Sequence, residues 1–386
     1  MLPTQSAGAG AFENFDLNRV PSPCFVVDEV TLRRNLEMLQ VIKQQGDVKV
    51  LLALKAFSMW SMANMIGEYL DGCCASGLWE AKLARQHYSG ALESYSPAYK
   101  ASEVDEIASL SDHMIFNSPS QVEMFGRIAR QNGADVGLRI NPQHSEGLVE
   151  KYDPSARGSR LGWPIERLQG QLPDGVVGMH IHNLCEQGFA PLKRTVEAVL
   201  PQLNSVKGQL EWLNLGGGHM MTSADYPRAE LVSFLKELRA ELGLNIFLEP
   251  GTAVAFDAGI LVGEILDVTD NDGPIAITDI SATCHMPDVI EAPYRPALLG
   301  EVEDGDLFKI GGPSCLAGDV IGDYRLPLPP DAGQRIAFLD QAHYSMVKTT
   351  TFNGVVLPAI AIWNSETDDL KIVREFDYKD FEGRLS

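Results

Sequence analysis

Between Lys49 and Lys55 the chain carries five consecutive apolar residues, 50–54. An unbroken apolar run of that length predicts a strand buried on both faces. Ahead of it, residues 23–27 read as a short strand. Asp28 then caps a helix whose apolar positions Leu32, Leu36, Leu39 and Ile42 keep helical spacing. Behind it the period switches back and forth: helix over 59–70, strand over 72–76, helix over 78–88, strand over 92–96, helix over 102–110, strand over 113–117. The next helix is the best punctuated. Ser118 stands at its N-cap, Pro119 at its first position and Gln121 three after the cap. Val122, Phe125 and Ile128 form its stripe and Gly133 follows its end. Strands are expected over 136–140, 176–182, 210–215 and 245–248. Helices are expected over 191–203 and around Leu231, Leu235, Leu238 and Leu242, the latter capped by Asp225.

Counted from residue 50, the pattern gives eight strands, most of them separated by helices at the loop lengths of a parallel series. That predicts an α/β fold built on a (β/α)8 TIM-type barrel. The stretch 143–175 is longer and embellishes one unit. After about residue 265 the helical spacing fades. Short strands at 260–268, 275–280, 307–310, 335–340 and 355–362, divided by Gly, Pro and Asp, predict a β-domain. The expected organisation is a lead-in and joining strand over 1–27, with residues 1–20 mobile, a barrel over 28–265 and a C-terminal β-domain over 266–386.

Composition narrows the class. A 386-residue chain that is 45% hydrophobic and 22% charged builds a sizeable core. Its formal net charge of -21 repels nucleic acid and anionic membrane and attracts cationic ligands. None of its six cysteines forms a CxxC pair, which argues against a zinc ribbon or redox dithiol. No apolar run approaches the ~18 residues of a membrane span. The first ten residues lack a basic segment followed by an apolar one, so a cytoplasmic address is expected.

In a (β/α)8 barrel, functional side chains stand at the C-terminal ends of strands. Those positions hold Lys55, Arg139, His180 with His182, Gly216-Gly217-Gly218 and Glu249. A lysine ending a core strand either snorkels to solvent or serves Schiff-base chemistry, which needs a desolvated amine. His180-Ile181-His182 puts two imidazoles on one strand face. They read either as a metal pair or as one histidine stacked on a flat cofactor above a structural one. The glycine run lets backbone amides approach a phosphate. Glu249-Pro250-Gly251 leaves a carboxylate at the mouth, suited to a pyridine nitrogen or to a salt-bridged turn. Cys315, after Gly312-Pro313, is a reactive thiol or an inert small residue, and Tyr344 donates to a phosphate or packs.

Taken in order, these motifs resemble the fold-type III PLP-dependent decarboxylases, the group of the ornithine and diaminopimelate decarboxylases, which shares its fold with alanine racemase. The likeness runs from about residue 23 to 354. Ala53-Leu54-Lys55 is similar to the strand-end PLP lysine. Leu138-Arg139-Ile140-Asn141-Pro142 is similar to the LRxNP strand, and His182 to the histidine stacked on the PLP face. Gly216-Gly217-Gly218 resembles the phosphate loop, and Glu249-Pro250-Gly251 the EPG motif. Gly312-Pro313-Ser314-Cys315 resembles the GPxC motif, whose cysteine reaches the partner subunit's active site. Tyr344 and Phe352-Asn353-Gly354 resemble the C-terminal aromatic and FNG elements.

Three departures narrow the branch. Asn183-Leu184-Cys185-Glu186 replaces the Gly-Ser usual after the stacking histidine. Thr252 replaces the arginine usual after EPG, which leaves one phosphate contact unassigned. Cys73 replaces a common aspartate. Together with Cys284-His285-Met286-Pro287-Asp288 and Pro293-Tyr294-Arg295-Pro296, these are most similar to the branch acting on carboxylated polyamines.

The resemblance implies decarboxylation of carboxynorspermidine or carboxyspermidine to norspermidine or spermidine, in a homodimer with the active site at its interface. Lys55 would hold pyridoxal 5'-phosphate covalently and Glu249 would pair with its ring nitrogen. Arg139, His182, Gly217, Gly218 and Tyr344 would contact the cofactor. Cys315 or Lys55 would return a proton to Cα. Glu249, Asp288 and Asp319 would bind substrate, the two aspartates on its distal amines, with Glu186 a further candidate. The rival expectations are a diaminopimelate or other basic amino-acid decarboxylase of the same fold, a metal-dependent barrel hydrolase, and a non-catalytic PLP carrier. No metal is expected on the preferred reading.

Overall fold

The computed structural model describes residues 6–147 and 150–386. The chain forms two compact units, Asn35–Val254 and Met1–Arg34 with Ala255–Ser386. The sequence boundary at 265/266 falls inside one continuous strand, Gly259–Asp270, so the seam lies earlier. Its first seven residues are nearly all buried and its last five are largely exposed, with a register shift between Ile265 and Asp267, so the apolar run fades inside one continuous strand.

In the first unit all eight expected strands form: Lys49–Ala53, Gly72–Ala75, Ala91–Tyr95, His113–Phe116, Asp135–Asn141, Val176–Ile181, Trp212–Asn214 and Asn245–Leu248. Each pairs in parallel with the next, and the last returns to the first through Phe247 beside Lys49. The sheet therefore closes into a barrel, which removes its edges. A two-residue strand, Trp163–Pro164, adds to the end of Asp135–Asn141 and belongs to the longer segment. Two residues of that segment, 148 and 149, lie outside the described structure.

The barrel floor is filled by Leu51, Ile115, Trp212 and Phe247. Trp212 fits because its neighbours are glycines. A Cβ on Gly137 or Gly178 would come within 2.5 or 2.0 Å of its indole, closer than side-chain atoms approach. His113 stacks on that indole at 4.8 Å. Strand side chains alternate, so residues two further along each strand form the next layer up. That step leads from Trp212 to Asn214 and from Phe247 to Glu249.

The helix over Pro119–Gln131 is punctuated as its sequence suggests, with Ser118 Oγ accepting the Gln121 N–H. Asp28 likewise accepts from the Val30 and Thr31 N–H groups. Asp225 does not cap the next-to-last barrel helix. That helix begins at Arg228 behind Pro227, and Asp225 accepts from Ser223 Oγ instead. A proline one residue ahead sets the start and overrides the cap signal.

The second unit is a mixed sheet. Its strands run in the order Val320–Arg325, Leu307–Gly311, Pro274–Thr278, Gly259–Asp270, Cys24–Asp28, Ala359–Trp363, Leu370–Arg374, and Arg335–Leu339 also pairs with Gly259–Asp270. Cys24–Asp28, from the start of the chain, sits in the middle. Its alternate residues feed two cores. Phe25 packs with Leu261, Phe308 and Phe338, while Cys24 and Val26 pack with Ile260, Val262 and Trp363.

The expectation of a mobile lead-in fails for residues 10–20, and residues 1–5 lie outside the described structure. Two short 3-10 turns bury Phe12, Phe15 and Val20. Both phenylalanine rings lie against Trp363, at 5.3 and 4.8 Å. Three apolar anchors in a polar stretch hold it down without any period to reveal them. Strands Val320–Arg325 and Leu370–Arg374 were also not expected, because half-exposed, charge-bearing strands read as loops. Among the described residues no helix is long and apolar enough to cross a membrane.

Candidate active site

From residue 50 to 57 every residue is buried except Lys55. The strand ends at Ala53. The chain turns there, with the Ala56 and Phe57 N–H groups donating to the Ala53 carbonyl, and the lysine leaves the core at the rim. Its Nζ lies 3.4 Å from His182 Nε2. His182 follows the strand Val176–Ile181, and its Nδ1 accepts the Gly217 N–H at 3.0 Å. That bond fixes the ring and places the proton of neutral His182 on Nε2, toward the lysine. Arg139 is buried, with its guanidinium 4.5 Å from the Tyr95 ring centroid. Its Nη2 donates to the His182 carbonyl at 2.8 Å, a second restraint on the same residue.

Glu249 stands one residue past the strand Asn245–Leu248, with its side chain 7% exposed. His180 Nε2 donates to its Oε2 at 3.2 Å and the Asn214 amide donates to its Oε1 at 2.8 Å. The same amide donates to Glu93 Oε1 at 2.5 Å. Glu93 is fully buried on the strand Ala91–Tyr95. Two carboxyl groups thus share one amide inside the barrel. Burial and the neighbouring Glu249 charge push Glu93 well above the usual carboxylate range. Burial also raises Glu249, but His180, the hydrogen bonds from His180 and Glu93, and His182 outweigh it and hold Glu249 well below that range. Burial lowers both histidines; the charges of Lys55 and Arg139 push His182 further down. At neutral pH the layer therefore holds one carboxylate, Glu249, one carboxylic acid, Glu93, and neutral imidazoles.

The glycine run is close-packed. A Cβ on Gly217 would sit 2.0 Å from the Glu249 carbonyl oxygen, and one on Gly218 2.1 Å from that of Leu184. Both positions need glycine for backbone packing. Gly217 also gives its N–H to His182, so its amide is occupied within the protein. Thr252 Oγ1 donates to Glu186 Oε1 at 3.2 Å.

The remaining expected residues lie in the sheet unit. Cys315 is exposed on the turn after Gly312-Pro313, and its N–H donates to Asn353 Oδ1 at 3.0 Å. That contact ties the GPxC-like and FNG-like segments together. Asp319 is buried beneath the turn. It accepts from Ser281 Oγ (3.0 and 2.9 Å), the Thr283 N–H (3.1 Å), and the Ser314 N–H and Oγ (3.3 and 2.6 Å). Its expected place on a distal amine is therefore already filled by the chain's own donors. Asp288 is half-buried and pairs with Lys348, which also reaches Glu291 at 3.3 Å. Tyr344 is half-buried with φ 45, in the left-handed region that non-glycine residues rarely occupy.

Sequence reasoning missed Glu93 and Asn214. The available signal was a polar residue in the interior of a short strand, two positions above a floor residue on the inward face.

The ligand atoms of His180, His182 and Glu249 lie within 4.8 Å of one another, close enough to share a metal ion. However, His182 Nδ1 and both Glu249 oxygens already take hydrogen bonds from within the layer. The set also fits a protonated pyridine ring with an aldehyde arm: a rim amine, a flat neutral imidazole and a buried carboxylate held ionised.

Comparison with known proteins supports the second fit. A family described as "Pyridoxal-dependent decarboxylase, C-terminal sheet domain" matches residues 24–342. A carboxyaminopropylagmatine decarboxylase of Synechocystis sp. is 38% identical, over 98% of this chain and 99% of that one. A carboxynorspermidine/carboxyspermidine decarboxylase of Campylobacter jejuni is 37% identical, over 94% and 98%. The crystal structure of carboxynorspermidine decarboxylase from C. jejuni complexed with norspermidine matches 95% of this chain and 100% of that one, with TM-score 0.87 and 36% identity. Diaminopimelate decarboxylase from Helicobacter pylori shares the fold at TM-score 0.81 and 17% identity.

Proposed function

The chain belongs to the pyridoxal-dependent decarboxylases, and from that premise we propose that it removes the α-carboxylate of carboxynorspermidine or carboxyspermidine, giving norspermidine or spermidine. The observation that carries this is near-full-length similarity to enzymes named for those substrates, in a chain that keeps a rim lysine beside a buried, ionised glutamate. The acidic surface, at net charge -21, suits a polycationic substrate.

When bound, pyridoxal phosphate supplies the electron sink for the pair released as the carboxylate leaves. The chain's own groups do the rest. Lys55 would carry the cofactor on its amine. Glu249, kept anionic, would hold the proton on the ring nitrogen. His182, held by the Gly217 N–H and by Arg139 through its carbonyl, would cover one ring face. Gly218 and Thr252 would hold the phosphate, with Tyr344 proposed as a further donor. The Cys315 thiol of a second copy, or the Lys55 ammonium, would give its proton to Cα, and the first case would make the active species a homodimer. Asp288 takes a distal amine in exchange for Lys348. Asp319 holds the turn that presents Cys315.

A second reading comes from the Synechocystis relative. The two substrate types share an aminopropyl amino-acid head and differ at the far end, amine against guanidine. CO2 release from carboxynorspermidine, carboxyspermidine, carboxyaminopropylagmatine and diaminopimelate separates the possibilities. The expected order puts the first two at least tenfold above the others in kcat/KM. Preference for carboxyaminopropylagmatine moves the assignment to the second reading, and preference for diaminopimelate refutes both.

A further inference from the structure

We propose that Glu93 is a positioning residue: its carboxylic acid O–H, with the Asn214 amide, holds Glu249 as the carboxylate that serves the cofactor's ring nitrogen. The inference rests on the proposed role of Glu249. The Asn214 amide bridges Glu93 Oε1 and Glu249 Oε1, and its own Oδ1 is fixed by the Gly216 N–H at 2.7 Å. Two carboxyl groups at such a bridge, both out of water, do not ionise together. One keeps a proton and offers it as a hydrogen bond.

The surroundings decide which one. Glu249 faces His180 and His182, with Lys55 and Arg139 in the same upper layers. Glu93 lies deeper and meets Asn214, Cys74 and His113, whose Nδ1 is 3.3 Å from Glu93 Oε2. His113 is lowered by burial, and the Cys74 thiol is pushed up by burial and by the two glutamates. No cation among the described residues touches Glu93. The charge therefore settles on Glu249 and the proton on Glu93. A glutamine at 93 reproduces the pattern: its oxygen accepts from Asn214 and its NH2 serves Glu249 and His113. A methionine matches the length and offers nothing.

The first test is an infrared difference spectrum of the cofactor-free proteins, wild type minus Glu93→Gln, at pH 7. The C=O stretch of a protonated carboxylic acid is expected to vanish in the variant. Loss of ionised-carboxylate bands instead overturns the proposal. The second test uses the loaded enzymes. Glu93→Met is expected to shift the absorbance of bound PLP and to lower kcat about 10- to 100-fold, the loss of one hydrogen bond to a charged group. Glu93→Gln is expected to rescue both. A Met variant with the wild-type spectrum and kcat overturns the proposal, as does a Gln variant as impaired as Met. If Glu93→Met does not fold, the infrared result and the Gln variant decide. A wild type that takes up no PLP refutes the functional reading separately, because the infrared band is read without cofactor.

Discussion

Each unit buries a polar cluster, and the two are built on opposite terms. In the sheet unit, Asp319 is a single carboxylate with donors for every oxygen: Ser281, Thr283 and Ser314. Both oxygens of that carboxylate are met from within the chain, and the one buried orphan among the described residues of the cluster, Thr283 Oγ1, is an uncharged hydroxyl. In the barrel, Glu93 and Glu249 must divide one amide between them, and His180 Nδ1 is buried with no partner. A saturated cluster rigidifies a turn. An undersupplied one keeps a charge poised and stores the cost in the fold. The difference separates scaffold from chemistry without reference to any relative.

Glu249→Gln should break the contrast most sharply. It removes the charge but keeps a side chain that bonds to Asn214. Activity is expected to fall about 10²- to 10³-fold, the usual range for losing one preorganised electrostatic partner. Thermal unfolding of the apoprotein should stay level or rise, because the variant also relieves the two-acid conflict. A marked loss of stability would mean that the pair is scaffold after all.

Asp319→Asn should behave the other way. It turns an amide NH2 toward backbone donors that now meet a carboxylate. A loss of about 2–3 kcal/mol in unfolding free energy is expected, with PLP uptake on Lys55 retained. Unchanged stability, by denaturant titration, would contradict the scaffold role.

Acid sensitivity should be shared by the units and is the mildest test. Burial pushes His219 in the barrel and His285 in the sheet unit down to about 4. Unfolded histidines take up a proton near 6.5, so the unfolded state binds more protons between roughly pH 6.5 and 4. Stability therefore falls as pH drops through that window, by at most about 3 kcal/mol per histidine. His219→Gln and His285→Gln should each flatten the profile of unfolding free energy against pH. Profiles parallel to wild type would refute the buried-neutral assignment.

Much of the barrel could be read directly from the sequence, because eight apolar runs and their helical spacers impose distinct periods. Lys55 stood out for the same reason, as a charge ending an apolar run. Glu93 did not. Flanked by Leu92 and Ser94, it resembles the polar face of a half-exposed strand, and only closure of the sheet turns that face into the barrel interior. Asn214 was hidden in the same way between Leu213 and Leu215. Phe12 and Phe15 find their partner in Trp363, nearly the whole chain away, and no local pattern encodes that contact. Asp319 looked like a substrate acceptor because its donors are contributed by residues 281–283 as well as by its own turn.

The central claim is that the barrel's upper layer is a cofactor site organised on Lys55. The most direct measurement is borohydride treatment of the purified protein, followed by mapping of the modified peptide. The account predicts loss of the visible absorbance band and a pyridoxyl group on Lys55 alone. Label on another lysine, or no label after incubation with pyridoxal phosphate, would contradict it and return the His180, His182 and Glu249 trio to consideration as a metal site.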